Sequence, residues 1–431
     1  MTSLQRNGRS PLSLWLGVWV AMGLWWAVGP GARAAHPRPN AQGGRVYYVA
    51  TTGSDSNDGS FEAPFRTLQR ALAAVRPGDT ILIRGGVYDL DNQVDAVGTA
   101  EAPITIASYP GEWAVFDGSA YDPSQSVKFR ITGSWLILRR FEVRYGPSDG
   151  FLLTENAGYN RLENLVSHGN YLAGFELENG AHDNLILNCD SYENFDSGAS
   201  HGEHADGFGA KYDVGPGNRF EGCRAWNNSD DGFDFWAAEH RVVVAYSWAY
   251  GNGFDRWGVG EEFAGDGNGF KLGPHHPLIH HCLAWNNAQR GFDDNDATDA
   301  IEAYNNTSYG HPVGFRFVAG PHVLRNNLSF QDGENQIAAQ VDDAYNSWND
   351  PPGIEATPED FVSLDDRVAR GPRRPDGSLP SGGFLRPRWE SSLRDRGVDV
   401  GLPYRGQAPD LGGREAIFGR RYIGPPVSGG P

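Results

Sequence analysis

Three cysteines, Cys189, Cys223 and Cys282, are all that 431 residues contain. So sparse and odd a set cannot form the disulfide framework of a small secreted scaffold. Methionine is scarcer still, with two residues, while glycine reaches 57, which argues against a helical bundle and for many turns and short strands. Basic residues are in deficit: 36 Lys and Arg face 54 Asp and Glu, a formal charge of −18. That field excludes nucleic acid and anionic membrane as broad-surface partners, and an anionic ligand needs a local cation to dock. Beyond the first 34 residues no stretch could span a bilayer. At 39% hydrophobic and 12% aromatic the chain can nevertheless bury a large core.

Residues 1–34 read as a secretory signal. Arg6 and Arg9 precede the apolar run Leu12 to Val28, Gly29-Pro30-Gly31 breaks it, and Ala32-Arg33-Ala34 offers a cleavage site. Their removal deletes three Arg and no acid, taking the charge from −18 to −21. A secreted monomer is expected.

The remainder repeats. Segments beginning at Asn160, Asn184, Asn218, Val242, Pro277, Ile301 and His322 align with steps of 24, 34, 24, 35, 24 and 21 residues, the long steps being the unit plus an insertion. Stacked, they form columns. The sixth position holds Leu165, Cys189, Cys223, Ser247 and Cys282, so the cysteines belong to one inward, packed column. The ninth runs His168, Tyr192, Trp226, Tyr250, Trp285, Tyr309 and Phe330, read as an aromatic core stack; the eleventh carries Asn170, Asn194, Asn228, Asn252 and Asn287. Gly-Phe pairs close the units: Phe175, Phe208, Phe233, Phe270, Phe292 and Phe315. Such columns predict an all-β parallel β-helix over residues 45–345, with Asn ladders along the axis and Phe inside. Phe65 to Val75 reads as a short amphipathic capping helix. From 346 onward the chain is rich in Pro, Gly and Arg without period, an extension laid along the coils.

If each Phe points in, the next residue points out: Glu176, Gly209, Asp234, Lys271, Asp293 and Arg316. The position before each Gly holds Asp206, Asp231, Asn268 and Arg290 among others. With coils about 4.8 Å apart, Asp206 and Asp231 become neighbours, flanked by Asp230 and Asp234, and Lys271 lies on the next coil. Four carboxylates on one patch call for a cation, and all-oxygen ligation suits Ca²⁺. His201 and His204 suggest a transition metal but lack a further soft ligand. Lys271 reads either as a surface ion pair or as a base for proton abstraction. Free carboxylates would raise its pKa and a bound divalent ion would lower it again, so metal and base are expected to be coupled.

HADGFGAK at His204–Lys211, NNSDDGFDFW at Asn227–Trp236 and GNGFKLG at Gly267–Gly273 together resemble pectate lyases of polysaccharide lyase family nine. APDLGG at Ala408–Gly413 is similar to tails following such domains. The resemblance implies a right-handed parallel β-helix, calcium on Asp206, Asp230, Asp231 and Asp234, and Lys271 as catalytic base. It further implies β-elimination of a 4-linked uronan such as polygalacturonate. Pro274-His275-His276 departs from the family pattern and could reshape a subsite. Arg290, Arg316 and Lys211 are candidates to receive substrate carboxylates, with pairing to Asp293 or Asp294 the alternative for the two arginines. Three other readings stand open: another uronan (rhamnogalacturonan or alginate), a hydrolase using Asp293 and Asp294, and a non-catalytic polysaccharide-binding β-helix.

Overall fold

The computed structural model describes residues 43–416 apart from Asp350 and Pro352; the expected signal segment lies outside the described residues. Short strands recur in threes along the chain and stack into three parallel sheets of twelve, ten and ten strands. One coil runs from the first sheet (Arg161–Glu163, for example) to the second (Val166–His168) and the third (Phe175–Leu177) before the chain climbs to the next. This is the expected right-handed parallel β-helix. Among the described residues no helix is long and apolar enough to cross a membrane.

The inner columns hold it together. Phe151, Phe175, Phe208, Phe233, Phe270, Phe292 and Phe315 are fully buried and stack ring on ring at 4.7–5.1 Å. Offset stacks of this kind add to area burial. The glycine before each Phe is there for room: a Cβ on Gly232 would meet the Gly269 carbonyl of the next coil at 2.6 Å. At the corner between second and third sheets, each Asn side chain of the eleventh column accepts from the backbone of the coil before it. Asn170 N donates to Asn194 Oδ1 at 3.0 Å, Asn194 to Asn228 at 3.2 Å and Asn228 to Asn252 at 3.0 Å. These bonds satisfy backbone donors that the turn leaves orphaned. Cys189, Cys223 and Cys282 are buried, free thiols in the inward column, as expected.

Two details differ from the sequence reading. The capping helix is only Leu68–Leu72, because Phe65 bridges to Val49 and the Thr67 side chain caps the first turn, leaving Leu68, Ala71 and Leu72 to face the core. The aromatic column stacks, with Tyr192 on Trp226 at 4.4 Å and Tyr250 on Trp285 at 4.3 Å, but outside the coils. In Asp190-Ser191-Tyr192 the small Ser191 takes the inward place and its neighbours turn outward. The extension covers part of this ladder, and Phe361, Phe384, Leu385, Leu393 and Leu411 join Trp248, Trp285 and Phe330 in a second apolar cluster. An ion pair fastens it: Asp190 accepts from Arg224 at 2.8 Å and from Arg373 of the extension at 2.7 Å. Burial alone would raise the Asp190 pKa, but the two guanidiniums outweigh it and hold it down at about 2.

Candidate functional site

The third sheet's outward face carries the charged column in the expected register. Glu176 pairs with Gly209, Gly209 with Asp234, Asp234 with Lys271, Lys271 with Asp293 and Asp293 with Arg316. Asp206 and Asp231 occupy the turns just before their strands and are joined directly, Asp231 N donating to Asp206 Oδ1 at 3.0 Å. Carboxylate oxygens of Asp206, Asp230 and Asp231 lie within 4.8 Å of one another, and all three residues are buried. Backbone amides of the following coil orient two of them: Asp266 N donates to Asp230 Oδ1 and Asn268 N to Asp231 Oδ1, both at 2.6 Å.

Two ammonium groups border this nest. Lys211 Nζ sits 2.6 Å from Asp206 Oδ2 and 3.0 Å from Asp234 Oδ2. Lys271 Nζ sits 3.3 Å from Asp231 Oδ2, 3.7 Å from Asp234 Oδ2 and 2.9 Å from Asp266 Oδ2. The side chain of Lys271 is 14% exposed, so it reaches the surface from within the cluster.

The electrostatics are strained toward neutral acids. Burial, then repulsion from Asp231 and Asp206, pushes Asp230 well above the carboxylate range. Burial raises Asp231 likewise, with Lys271 only partly offsetting it. Asp206 is pushed up to about 6 by burial and by Asp234, against the pull of Lys211. Asp234 is the exception: burial would raise it, but Lys211 and Lys271 together hold it below its ordinary value. For Lys271 burial favours the neutral amine, but Asp231, Asp234 and Asp230 outweigh it and raise the pKa, as the column reading anticipated for carboxylates without a counter-ion.

The donor set fits a hard divalent cation. It consists of carboxylate oxygens only; among the described residues the buried Asp231 Oδ2 accepts no hydrogen bond, and the buried side-chain amide of Asn268 also lacks a partner. His201 and His204 form no three-ligand group among the described residues.

The other candidates separate. Arg290 donates to Asp293 at 2.9 Å, and Arg316 spans Asp293, Asp294 and Asp296 at 3.0, 3.1 and 2.6 Å, so both guanidiniums are engaged with their own column. Asp294 also accepts from Val318 N and Ala319 N and contacts His322 at 3.0 Å, the surroundings of a structural carboxylate rather than a hydrolase acid. Lys211 belongs to the acidic nest itself.

Sequence reasoning missed Asp266, the nearest partner of Lys271, which follows a long insertion and so belongs to no column. The outward column names Glu176 but gives it no role; among the described residues its buried Oε1 has no hydrogen-bond partner, and its pKa is driven well up by burial. Gly209 leaves the space it fills, since a Cβ there would lie 1.8 Å from Glu176 Oε2.

Residues 47–330 match the family model described as Pel9A-like, right handed beta helix region. A protein of Dickeya dadantii (strain 3937) named Pectate lyase L is 38% identical over 394 residues, spanning 86% of this chain and 90% of its own length. The crystal structure of pectate lyase Pel9A superposes with a TM-score of 0.81 at 37% identity, over 86% of this chain and 96% of that one. A solved structure named rhamnogalacturonan lyase follows at TM-score 0.70 and 28% identity, over 80% and 96%.

Proposed function

The chain belongs to the Pel9A-like right-handed β-helix family and is a polysaccharide lyase, and we propose that it cleaves polygalacturonate by calcium-dependent β-elimination. The observation that carries this reading is the juxtaposition of Lys271 Nζ with Asp231 and Asp234, 3.3 and 3.7 Å away, beside the buried Asp206–Asp230–Asp231 triad. Asp206, Asp230, Asp231 and Asp234 would hold the calcium, whose chemistry there would be neutralisation of a uronate C6 carboxylate and acidification of the adjoining C5 proton. With those carboxylates committed to a cation, Lys271 would lose the partners that most raise its pKa, and its amine would accept the C5 proton. The electron pair released at C5 forms the C4–C5 double bond as the C4–O4 bond breaks, and the leaving oxygen takes up a proton. Asp266, 2.9 Å from Nζ, fixes where the amine points. Base catalysis of this type contributes about 10²–10⁴-fold. Secretion through residues 1–34 would deliver the enzyme to polymeric substrate and to calcium outside the cell.

A rhamnogalacturonan backbone is the second reading, favoured by the 28% identity to a structure of that name. The test is one panel: purified protein with polygalacturonate, rhamnogalacturonan or alginate, in calcium or chelator, following the ultraviolet absorbance of unsaturated product. Product from polygalacturonate in calcium only, lost in Lys271→Ala while the melting temperature is retained, is the expected result. Reducing ends without unsaturated product would mark a hydrolase, and undiminished turnover in Lys271→Ala would remove the base.

A further inference from the structure

The corner between the first and second sheets, on a different side of the coil from Lys271, holds a second built feature. Trp113 and the strand ends of four successive coils form one wall of a cleft of about 530 Å³, and Pro372–Gly377 of the extension forms the other. That volume lies within the roughly 300–1,000 Å³ of small-ligand sites. Its charges are unevenly spent. Asp190 is gripped by Arg224 and Arg373, Glu163 is engaged by Arg161 at 3.2 Å, and Asp376 accepts from Ser378. Arg139 and Arg140, both exposed, also line the cleft, and neither side chain has a hydrogen-bond or ion-pair partner among the described residues. Two uncommitted guanidiniums side by side are notable in a chain of charge −18.

Local backbone strengthens the point. The corner residue of each coil has positive φ, and that column reads Arg140, Asn164, Asn188, Gly222, Tyr246, His281, Asn305 and Asn326. Asn and Gly tolerate the left-handed region best, so a long cationic side chain at this turn is not what the backbone selects. Trp113, 39% exposed and held by its indole N–H on Glu142 at 3.0 Å, supplies an aromatic wall to the same cleft.

The geometry points to a second, non-catalytic binding site for a uronate oligosaccharide. Arg139 and Arg140 would take sugar carboxylates through their planar forks, and Trp113 would stack on a ring face. The assignment of the ligand class rests on the lyase reading. An acidic enzyme repels a polyanionic substrate at long range, and a cationic holding site away from the acidic nest counters that repulsion locally.

The test is calorimetric titration of saturated digalacturonate into the full chain carrying Lys271→Ala, in chelator, with and without Arg139→Ala/Arg140→Ala. Saturable binding that weakens at least tenfold in the double variant, at unchanged melting temperature, is expected. Trp113→Ala should weaken it about fivefold with no change of charge. No saturable binding, binding indifferent to the two arginines or to Trp113, or inorganic phosphate competing equally well would each overturn the site. In the chain with Lys271 intact, Arg139→Ala/Arg140→Ala should leave turnover of a trigalacturonate within twofold while raising the KM for the polymer; loss of the short-substrate activity would overturn its non-catalytic role. Arginine-dependent binding without unsaturated product in the panel above would sink the lyase reading alone. Product without such binding would sink only this site.

Discussion

Two outward faces of the same coil put their buried charges to opposite uses. On the second sheet Asp190 lies between Arg224 and Arg373, accepts from both and is held ionised down to about 2. On the third sheet Asp206, Asp230 and Asp231 crowd together, Asp231 Oδ2 has no hydrogen bond among the described residues, and all three are pushed toward the neutral acid. The coil spacing is the same in both places. What differs is whether the chain supplies its own counter-ions in full. Where it does, the charge is mortar, fixing the extension to the coils. Where it supplies two lysines for more carboxylates than they can balance, the acids are left short of counter-charge, and the calcium proposal rests on that imbalance.

The sharpest way to break the comparison is to strip the mortar. Asp190→Ala leaves Arg224 and Arg373 facing each other in a buried setting, and unpartnered buried charge costs about 3–5 kcal/mol. Chemical denaturation should show a loss of that size, with the extension cut first in limited proteolysis. A loss under 1 kcal/mol would mean the pair is ornamental. Asp231→Asn should do the reverse in chelator, leaving stability unchanged or raised, because it removes a strained charge and keeps the shape.

Next in size is ligand linkage. Calcium at a hundred times its dissociation constant should stabilise the protein by about 2.7 kcal/mol, read as a rise in melting temperature. Asp231→Asn should abolish most of that rise, whereas Arg290→Ala, whose guanidinium pairs with Asp293 outside the triad, should keep it. Equal calcium responses in both variants would place the cation elsewhere.

The difference between the faces also marks what could be read in advance. Repeat steps of 24, 34, 24 and 35 residues reappear as the coil-to-coil separations of the Asn ladder, and the Asp234–Lys271 register follows from Gly-Phe pairs alone. Columns are legible because each is a local pattern repeated. Asp266 was not, because it lies on an excursion without a repeat partner. Nor was the outward placement of the aromatic ladder: small residues at the middle of each strand (Ser191, Ala225, Ala249, Ala284) hint at it. Only the aperiodic extension, which no column positions, turns those rings into a second core. Arg290 and Arg316 fell between, because register placed them beside Lys271 but could not say that Asp293 already held both.

The smallest expected effect separates the faces by pH. Asp206 in the folded, cation-free chain titrates at about 6, above the ordinary value of an unfolded aspartate near 3.9. Between those values the folded state binds the extra proton, so this group makes the fold more stable as pH falls from 7 toward 4. Asp190 works in the other direction, but its contribution is complete above about 4 and is lost only as pH falls toward 2. In chelator, therefore, lowering the pH from 7 to 5 should raise the melting temperature, on the order of 2 °C from Asp206, with Asp410 at about 6 and Glu415 at about 8 on the extension adding in the same direction. Asp206→Asn should flatten that slope, and saturating calcium should invert it, since protons and the cation compete for the same oxygens. A slope undiminished by Asp206→Asn would assign the proton uptake to other raised carboxyls, Asp230 and Asp231 within the nest or Asp410 and Glu415 of the extension, and the pH contrast would lose Asp206 as its basis.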